Sequence, residues 1–197
     1  MANMTFVKEP GHPPLKFWQW VLYRWLATVT GYIFTSLAYS LVSLAFRVHF
    51  TAPPAAHTVV ADNATAFGHG SFPVYWMLNF IGMVALGLAS DNATMIVGMP
   101  WMALWLIFWV ITNVCTSFYP IEIEPHFFYW GYAWPLRNIV EATRTIIFDT
   151  HSRLGLNFGI LFAWAGINSI LFPFCCYFMK WKEAKSEKKE KQKKKDS

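Results

Sequence analysis

Charge is what this chain has least of. Asp, Glu, Lys and Arg together make up only 14% of the 197 residues, against 55% hydrophobic and 19% aromatic residues. That is too little polar surface to cover a soluble globule of this length. The hydrophobicity is also gathered into blocks rather than spread at amphipathic spacing, so a soluble domain is excluded and a membrane protein is indicated. Cysteine is sparse as well. Cys115, Cys175 and Cys176 lie inside or at the edge of apolar blocks without metal-ligand spacing, and vicinal cysteines seldom bridge. They read as small reduced hydrophobes, and no disulfide framework is implied.

The chemistry-bearing patterns are missing too. No Gly-x-x-x-x-Gly-Lys-Ser/Thr run occurs, so the chain cannot hydrolyse ATP by the phosphate-loop route and would need a partner or another energy source. The six histidines are scattered, none at i, i+4 from another His or, within a helix, from a carboxylate, and His57 and His69 fall in a Pro/Gly-rich loop. Glu122 and Glu124 flank Ile123 in an extended stretch, where solvated carboxylates are the simplest reading. No nucleophile, base and orienting partner can be assembled from spacing. The expectation is a protein that is not an enzyme, with no catalytic residues, cofactor, metal site or nucleic-acid partner.

What the sequence has is four long apolar runs. A bilayer core of about 30 Å needs roughly 20 apolar helical residues, and candidate spans lie at about 25–46, 72–90, 93–118 and 158–179. The predicted fold is an all-α polytopic membrane protein: a segment 1–24, a membrane domain 25–179, and a Lys-rich tail 180–197. The second and third spans are separated only by Asp91 and Asn92, which predicts a tight hairpin there, and no Asp, Glu, Lys, Arg or His falls within any of the four runs. A proton relay inside the membrane is therefore not expected.

Orientation follows from the basic residues. The tail after Met179 holds nine lysines, while the segments 48–71 and 119–157 are poor in them, so both termini are expected in the cytoplasm and those two segments outside. Residues 1–16 have no apolar signal-peptide core, which leaves the first span as the insertion signal. Asn63-Ala64-Thr65 is a candidate glycosylation site on the outer side, whereas Asn3 and Asn92 fall on the cytoplasmic side. The tail reads as disordered and solvated, with lipid headgroups as an alternative partner, and its final "KKDS" is similar to an endoplasmic reticulum retrieval signal.

The stretch "WGYAWPLRNIVEATRTIIFD" is the exception, a charged helix between apolar blocks. From 135 to about 149 it offers about 15 residues, or roughly 22 Å, too short to cross alone. Pro135 suits a first helical position. Arg137, Glu141 and Arg144 share one face, and Leu136, Val140, Thr143 and Ile147, broadened by Ile139 and Ile146, make the neighbouring one. An amphipathic helix lying on, or dipping into, the outer surface is expected, preceded by an aromatic belt from 127 to 134 at headgroup depth. The three charges are read either as an exposed ion-pair ladder, each pair worth about 0.3–0.5 kcal/mol, or as part of an outer gate.

The first span carries a hydroxyl face. Thr28, Tyr32, Thr35, Ser36, Tyr39, Ser40 and Ser43 fall on one side of the helix, Leu26, Ile33, Phe34, Leu37, Leu41 and Leu44 on the other. Helix packing is the simpler reading and a substrate path the alternative. Asn79, Asn113 and Asn168, one per remaining span, are candidate partners across the bundle, and Gly82 and Gly87 offer surfaces for close approach.

The segments "SFYPIEIEPHFFYWGYAWPLRNIVEATRTIIFDT", "LGLNFGILFAW" and "YWMLNFIGMVALGLASDNA" together resemble the C-terminal membrane region of the fungal nitrosoguanidine-resistance family. That family is related to the bacterial YhgE/Pip phage-infection proteins and, more broadly, to permease subunits of type-2 ABC exporters. The resemblance runs over about 15–179. Its most specific pieces are Tyr119-Pro120-Ile121, Gly131-Tyr132-Ala133 with Pro135, and Phe148-Asp149-Thr150 to Gly155-Leu156-Asn157. It implies export of, or resistance to, toxic compounds, or a role in lipid organisation, with the plasma membrane the favoured location and the endoplasmic reticulum the alternative. Tyr119, Pro120, Gly131, Tyr132, Pro135, Arg137, Asn138, Glu141, Arg144, Asp149 and Asn157 are the motif and candidate gating positions. Family members usually add another span and a large extracellular domain, so a truncated paralogue is one expectation. The implied partners are membrane lipids, an unidentified small-molecule substrate and further subunits in a homo- or hetero-oligomer. The alternative is a scaffold or regulator of another transporter that moves nothing itself.

Overall fold

The computed structural model describes residues 16–46, 48, 70–119, 123–148 and 153–195. They form five α-helices: α1 Phe17–Ala45, α2 Ser71–Val97, α3 Met99–Phe118, α4 Pro135–Phe148 and α5 Leu154–Lys195, with a 3-10 helix at His126–Ala133. No strand occurs among the described residues. Four helices are long and apolar enough to cross a membrane, α1, α2, α5 and the Trp101–Phe118 stretch of α3. The chain is an integral membrane protein.

The central pair is α2 against α5, which run parallel, Leu78 packing by Leu161 near their starts and Met95 by Cys176 further along; α1 packs on α2, and α4 wedges among α2, α3 and α5. Two apolar clusters fill the seams. One joins Tyr75, Leu78 and Ile81 of α2 to Ala142 and Ile146 of α4 and Leu161 of α5. The other joins Val21 of α1, Leu88 and Met95 of α2, and Phe172, Cys175 and Cys176 of α5. On the outward sides α1 exposes Leu22, Phe34 and Val42, and α3 exposes Leu104, Ile107 and Ile111. Such a continuous apolar surface is what a bilayer covers and water does not.

The hairpin between α2 and α3 departs from the sequence reading. It does not turn at Asp91–Asn92: α2 runs through both to Val97, and the chain reverses at Gly98. Gly98 holds φ 87°, ψ 167°, a conformation essentially confined to glycine, and Pro100 sits in the first turn of α3, where its missing N–H costs nothing. Asp91 therefore lies inside a membrane helix, against the expectation of charge-free spans. Two further differences follow from helix length. α1 begins at Phe17, not near 25, because the aromatic run from Phe17 to Trp25 packs as helix on α5. At the other terminus, α5 continues through the Lys-rich tail to Lys195 rather than ending near 179. Its 42 residues amount to about 63 Å, twice a bilayer core.

One end of the bundle, the basic end, carries the start of α1, the α2–α3 turn and the lysines of α5. At the opposite end the chain enters the 3-10 helix and descends. Trp164 Nε1 donates to the Ala133 carbonyl at 2.7 Å, and Trp164 lies ten residues into α5, about 15 Å along its axis. The end of the aromatic segment, at Ala133 and Trp134, is thus not at headgroup depth as a belt would be. It dips halfway through the bundle, and α4 climbs back from there, so α4 is re-entrant.

Candidate functional site

Backbone polar groups at membrane depth must find partners inside the protein, and the tip of the re-entrant element is built around that need. Asn138, fully buried, donates through Nδ2 to the carbonyls of Trp134 at 2.7 Å and Tyr132 at 3.1 Å. Asn113 of α3 accepts the Leu136 N–H at 3.3 Å and donates to the Trp109 carbonyl at 2.9 Å. It thereby satisfies one of the unpaired N–H groups that every helix start leaves, while Pro135 has none to satisfy. Trp109, Trp134 and Trp164, one each from α3, the entry to α4 and α5, form a triangle with centroids 5.6–5.7 Å apart. Trp134 Nε1 reaches Thr112 Oγ1 at 3.4 Å, whereas the buried Trp109 Nε1 has no hydrogen-bond partner.

The face that α4 buries is rotated from the expected one. Pro135, Asn138, Ala142, Thr145 and Ile146 are buried, whereas Val140, Thr143 and Ile147 are only partly covered. Ala142 is small enough for close approach to α2, and Asn138 must face inward to hold the carbonyls of the 3-10 helix; these two needs set the rotation. Of the three charges, Glu141 and Arg144 form an ion pair at 3.1 Å with both side chains more than a third exposed, and Arg137 stacks on the Tyr132 ring at 4.2 Å. Gly131 and Asn157 are buried and Tyr119 is exposed. Pro120, Asp149 and Asn63 lie outside the described residues, as do Arg47, His57, His69 and Glu122.

The hydroxyl face of α1 divides in two. Ser36 and Ser40 are fully buried, each bonding a carbonyl of its own helix while accepting from α2: Trp76 Nε1 to Ser36 at 3.2 Å, Asn79 Nδ2 to Ser40 at 3.1 Å. Ser43 meets the Tyr75 hydroxyl at 3.1 Å, and Tyr39, largely exposed, also bonds Tyr75. These contacts are packing. Thr28 is half-buried. Asn79 is thus a cross-bundle partner of α1, while Asn113 serves α4 and Asn168 accepts from Asn92 at 3.2 Å.

Tyr32 and Thr35 do something else. They line a cavity of about 430 Å³ between α1 and α3, floored by Met83, Gly87 and Ser90 of α2 and roofed by Leu136 at the tip of α4, with Trp109 and Asn113 on the far wall. At its basic end the Tyr32 hydroxyl donates to Asp91 Oδ2 at 3.1 Å. A Cβ at Gly87 would collide with the Tyr32 ring, so only glycine lets Tyr32 lie across α2. Asp91 and Trp109 escaped the sequence reading. The signal for Asp91 was present: Gly98 followed by Pro100 is a stronger helix break than Asp-Asn.

Four crossing helices, a re-entrant helix and a cavity at bilayer depth define a polytopic α-helical membrane protein with an internal ligand-sized space. The chain belongs to the DUF3533 family, a protein family of unknown function, which it matches over residues 1–170. It is 33% identical over 158 residues to an uncharacterized endoplasmic reticulum membrane protein of Saccharomyces cerevisiae, covering 78% of this chain and 28% of that relative. The chain thus spans under a third of the relative's length. No solved structure matches it.

Proposed function

We propose that this chain is a permease-like membrane module that admits small apolar or amphiphilic molecules from the bilayer, in the service of export of, or resistance to, toxic compounds. The observation that carries this reading is the cavity of about 430 Å³, within the roughly 300–1,000 Å³ typical of small-molecule sites. It lies beneath a re-entrant helix whose tip is held by side chains. A helix that ends halfway across a bilayer is a natural moving part, and the resemblance to nitrosoguanidine-resistance proteins points to the same class of work. The module acts without chemistry of its own and together with further subunits. Its proposed membrane is the endoplasmic reticulum, by analogy with the yeast relative, with the nine lysines after Met179 in the cytoplasm. A glycan at Asn63, abolished by Asn63→Gln, is expected from that orientation; cleavage of a C-terminal tag by protease added to the lumenal side would overturn it. Transport is tested by efflux of a fluorescent cationic amphiphile from vesicles containing the full chain. Rates equal to those of empty vesicles, with or without co-purified subunits, would remove the permease reading.

The exposed apolar faces of α1 and α3 support a second reading, a scaffold that binds another membrane protein and moves nothing. Stable association with a second permease, without efflux, would favour it.

A further inference from the structure

Arg24 lies at the basic end of α1. Its guanidinium sits 5.6 Å from the Trp20 ring centroid and donates to Met179 Sδ at 3.8 Å, and among the described residues no carboxylate is within ion-pair distance of it. Asp91 acts on it electrostatically but is already bonded to Tyr32. Thr28, Tyr32 and Thr35 follow Arg24 at four, eight and eleven residues, which at 100° per residue places all four within about 80° of one another. The stripe therefore leads from an arginine that makes no direct ion pair, its nearest acid Asp91 being bonded to Tyr32, toward the cavity.

The cavity's depth and chemistry narrow the occupant. Ser90 and Met83 lie seven and fourteen residues before Val97, roughly 10 and 21 Å above the basic end of α2, where the acyl chains of one leaflet run. Apart from the indole N–H of Trp109, the polar groups around the cavity are already paired within the protein. Tyr32 bonds Asp91, Thr35 bonds the Gly31 carbonyl, Ser90 bonds the Leu86 carbonyl, and Asn113 bonds Trp109 and Leu136. What remains for a ligand is hydrocarbon surface and the one unmet indole N–H, with the Arg24 cation further along α1 toward the basic end.

We propose that the cavity between α1 and α3 holds an acyl chain of an anionic phospholipid from the leaflet at the basic end, with the lipid phosphate on Arg24. This builds on the cavity being a ligand site and not on any movement of the ligand, so the two readings fail separately.

The test uses the full chain in nanodiscs of phosphatidylcholine containing phosphatidylserine with a photoreactive diazirine midway along one acyl chain, followed by photolysis and peptide mapping. Adducts are expected to concentrate on 83–90 and 106–114. One cation near a membrane surface contributes enough to predict about fivefold less cavity labelling when the diazirine is carried by phosphatidylcholine, and a similar loss in Arg24→Gln. The headgroup comparison needs only the unaltered protein. Equal labelling by both lipids, or adducts spread over outward residues such as Phe34 and Ile107, would overturn the proposal. So would a cavity shielded from lipid while two chains cross-link through it, which would assign the space to a second copy. Cavity labelling without efflux from vesicles upholds the lipid site and removes the permease reading; efflux without cavity labelling does the reverse.

Discussion

Gly82 of α2 lies directly against Ile139 of α4: a methyl group added at Gly82 would come within 2.5 Å of the Ile139 Cδ1 atom. This contact sets how far the re-entrant helix sinks into the bundle. Gly82→Ala is expected to push α4 outward and destabilise the protein by about 1–3 kcal/mol, the usual cost of overpacking. Ile139→Ala should recover part of the loss in the double variant, since it removes the colliding atom. Gly31→Ala is the control, because nothing lies within 4 Å of a Cβ there; it should be neutral or slightly stabilising. Thermal inactivation in detergent reads all three, and equal effects at positions 82 and 31 would discard the close-approach account.

The one-residue turn at Gly98 makes a second prediction. Its φ of 87° and ψ of 167° lie where a side chain costs about 1–3 kcal/mol, and a Cβ would also meet Lys182 Nζ at 3.4 Å. Gly98→Ala should therefore lower the unfolding midpoint in a graded sodium dodecyl sulfate titration. A turn placed at Asp91–Asn92 would instead make Gly98→Ala harmless and Asn92→Ala the damaging change.

Two tryptophans of the central triangle should respond oppositely to loss of the indole N–H. Trp164 Nε1 holds the Ala133 carbonyl at 2.7 Å, so Trp164→Phe strands a carbonyl at membrane depth and is expected to cost about 1–3 kcal/mol. Trp109 Nε1 is buried without a partner, so Trp109→Phe gives up ring area but relieves an unmet donor and should cost clearly less. The same denaturation assay ranks them; a reversed order would mean that the hydrogen bond does not hold the tip.

On α4, cysteines at Glu141 and Arg144, whose side chains are over a third exposed, should react quickly with a membrane-impermeant maleimide. A cysteine at Ala142, which is fully buried, should resist. Positions 140 and 147 fall between, because the buried stripe runs through 138, 142 and 146 rather than through them. Uniform reaction at 141, 142 and 144 would mean that the helix has no fixed face.

How much of this was legible in the sequence depends on the range of the interaction that decides it. Helix existence is a local matter of apolar content, and the runs around α1, α2, α3 and α5 announce themselves. Pro135 likewise marks the start of α4 by chemistry that needs no neighbour. The rotation of α4 does not, because it is set by Ala142 meeting α2 and by Asn138 reaching back to Trp134 and Tyr132, and periodicity alone favours the more apolar 136/140/147 stripe. The depth of the aromatic segment also rests on one distant bond, Trp164 to Ala133. Asp91 was misplaced for a different reason: a charged pair between apolar runs looks like a loop unless its partner, Tyr32, is known to lie 59 residues earlier.

That partner supplies the last prediction. Tyr32 reaches Asp91 only by crossing Gly87, where an added Cβ would strike the phenol at its hydroxyl end, so the pair depends on a third residue that makes no hydrogen bond itself but leaves room for the donor. Tyr32→Phe leaves a half-buried carboxylate without its donor and should cost about 1–3 kcal/mol. Gly87→Ala, which keeps both partners, should cost a comparable amount because it displaces the ring that carries the donor. Asp91→Asn retains an acceptor oxygen and removes the charge, so it should be tolerated. In the Tyr32→Phe background it should recover stability, since the uncompensated carboxylate is then gone. Denaturation midpoints of the four variants decide the matter. If Gly87→Ala is neutral while Tyr32→Phe is damaging, the ring does not lie across α2. If Asp91→Asn is as damaging as Tyr32→Phe, the negative charge itself is required at this depth, and Arg24, whose charge Asp91 feels, becomes its counter-ion rather than the anchor of a lipid phosphate.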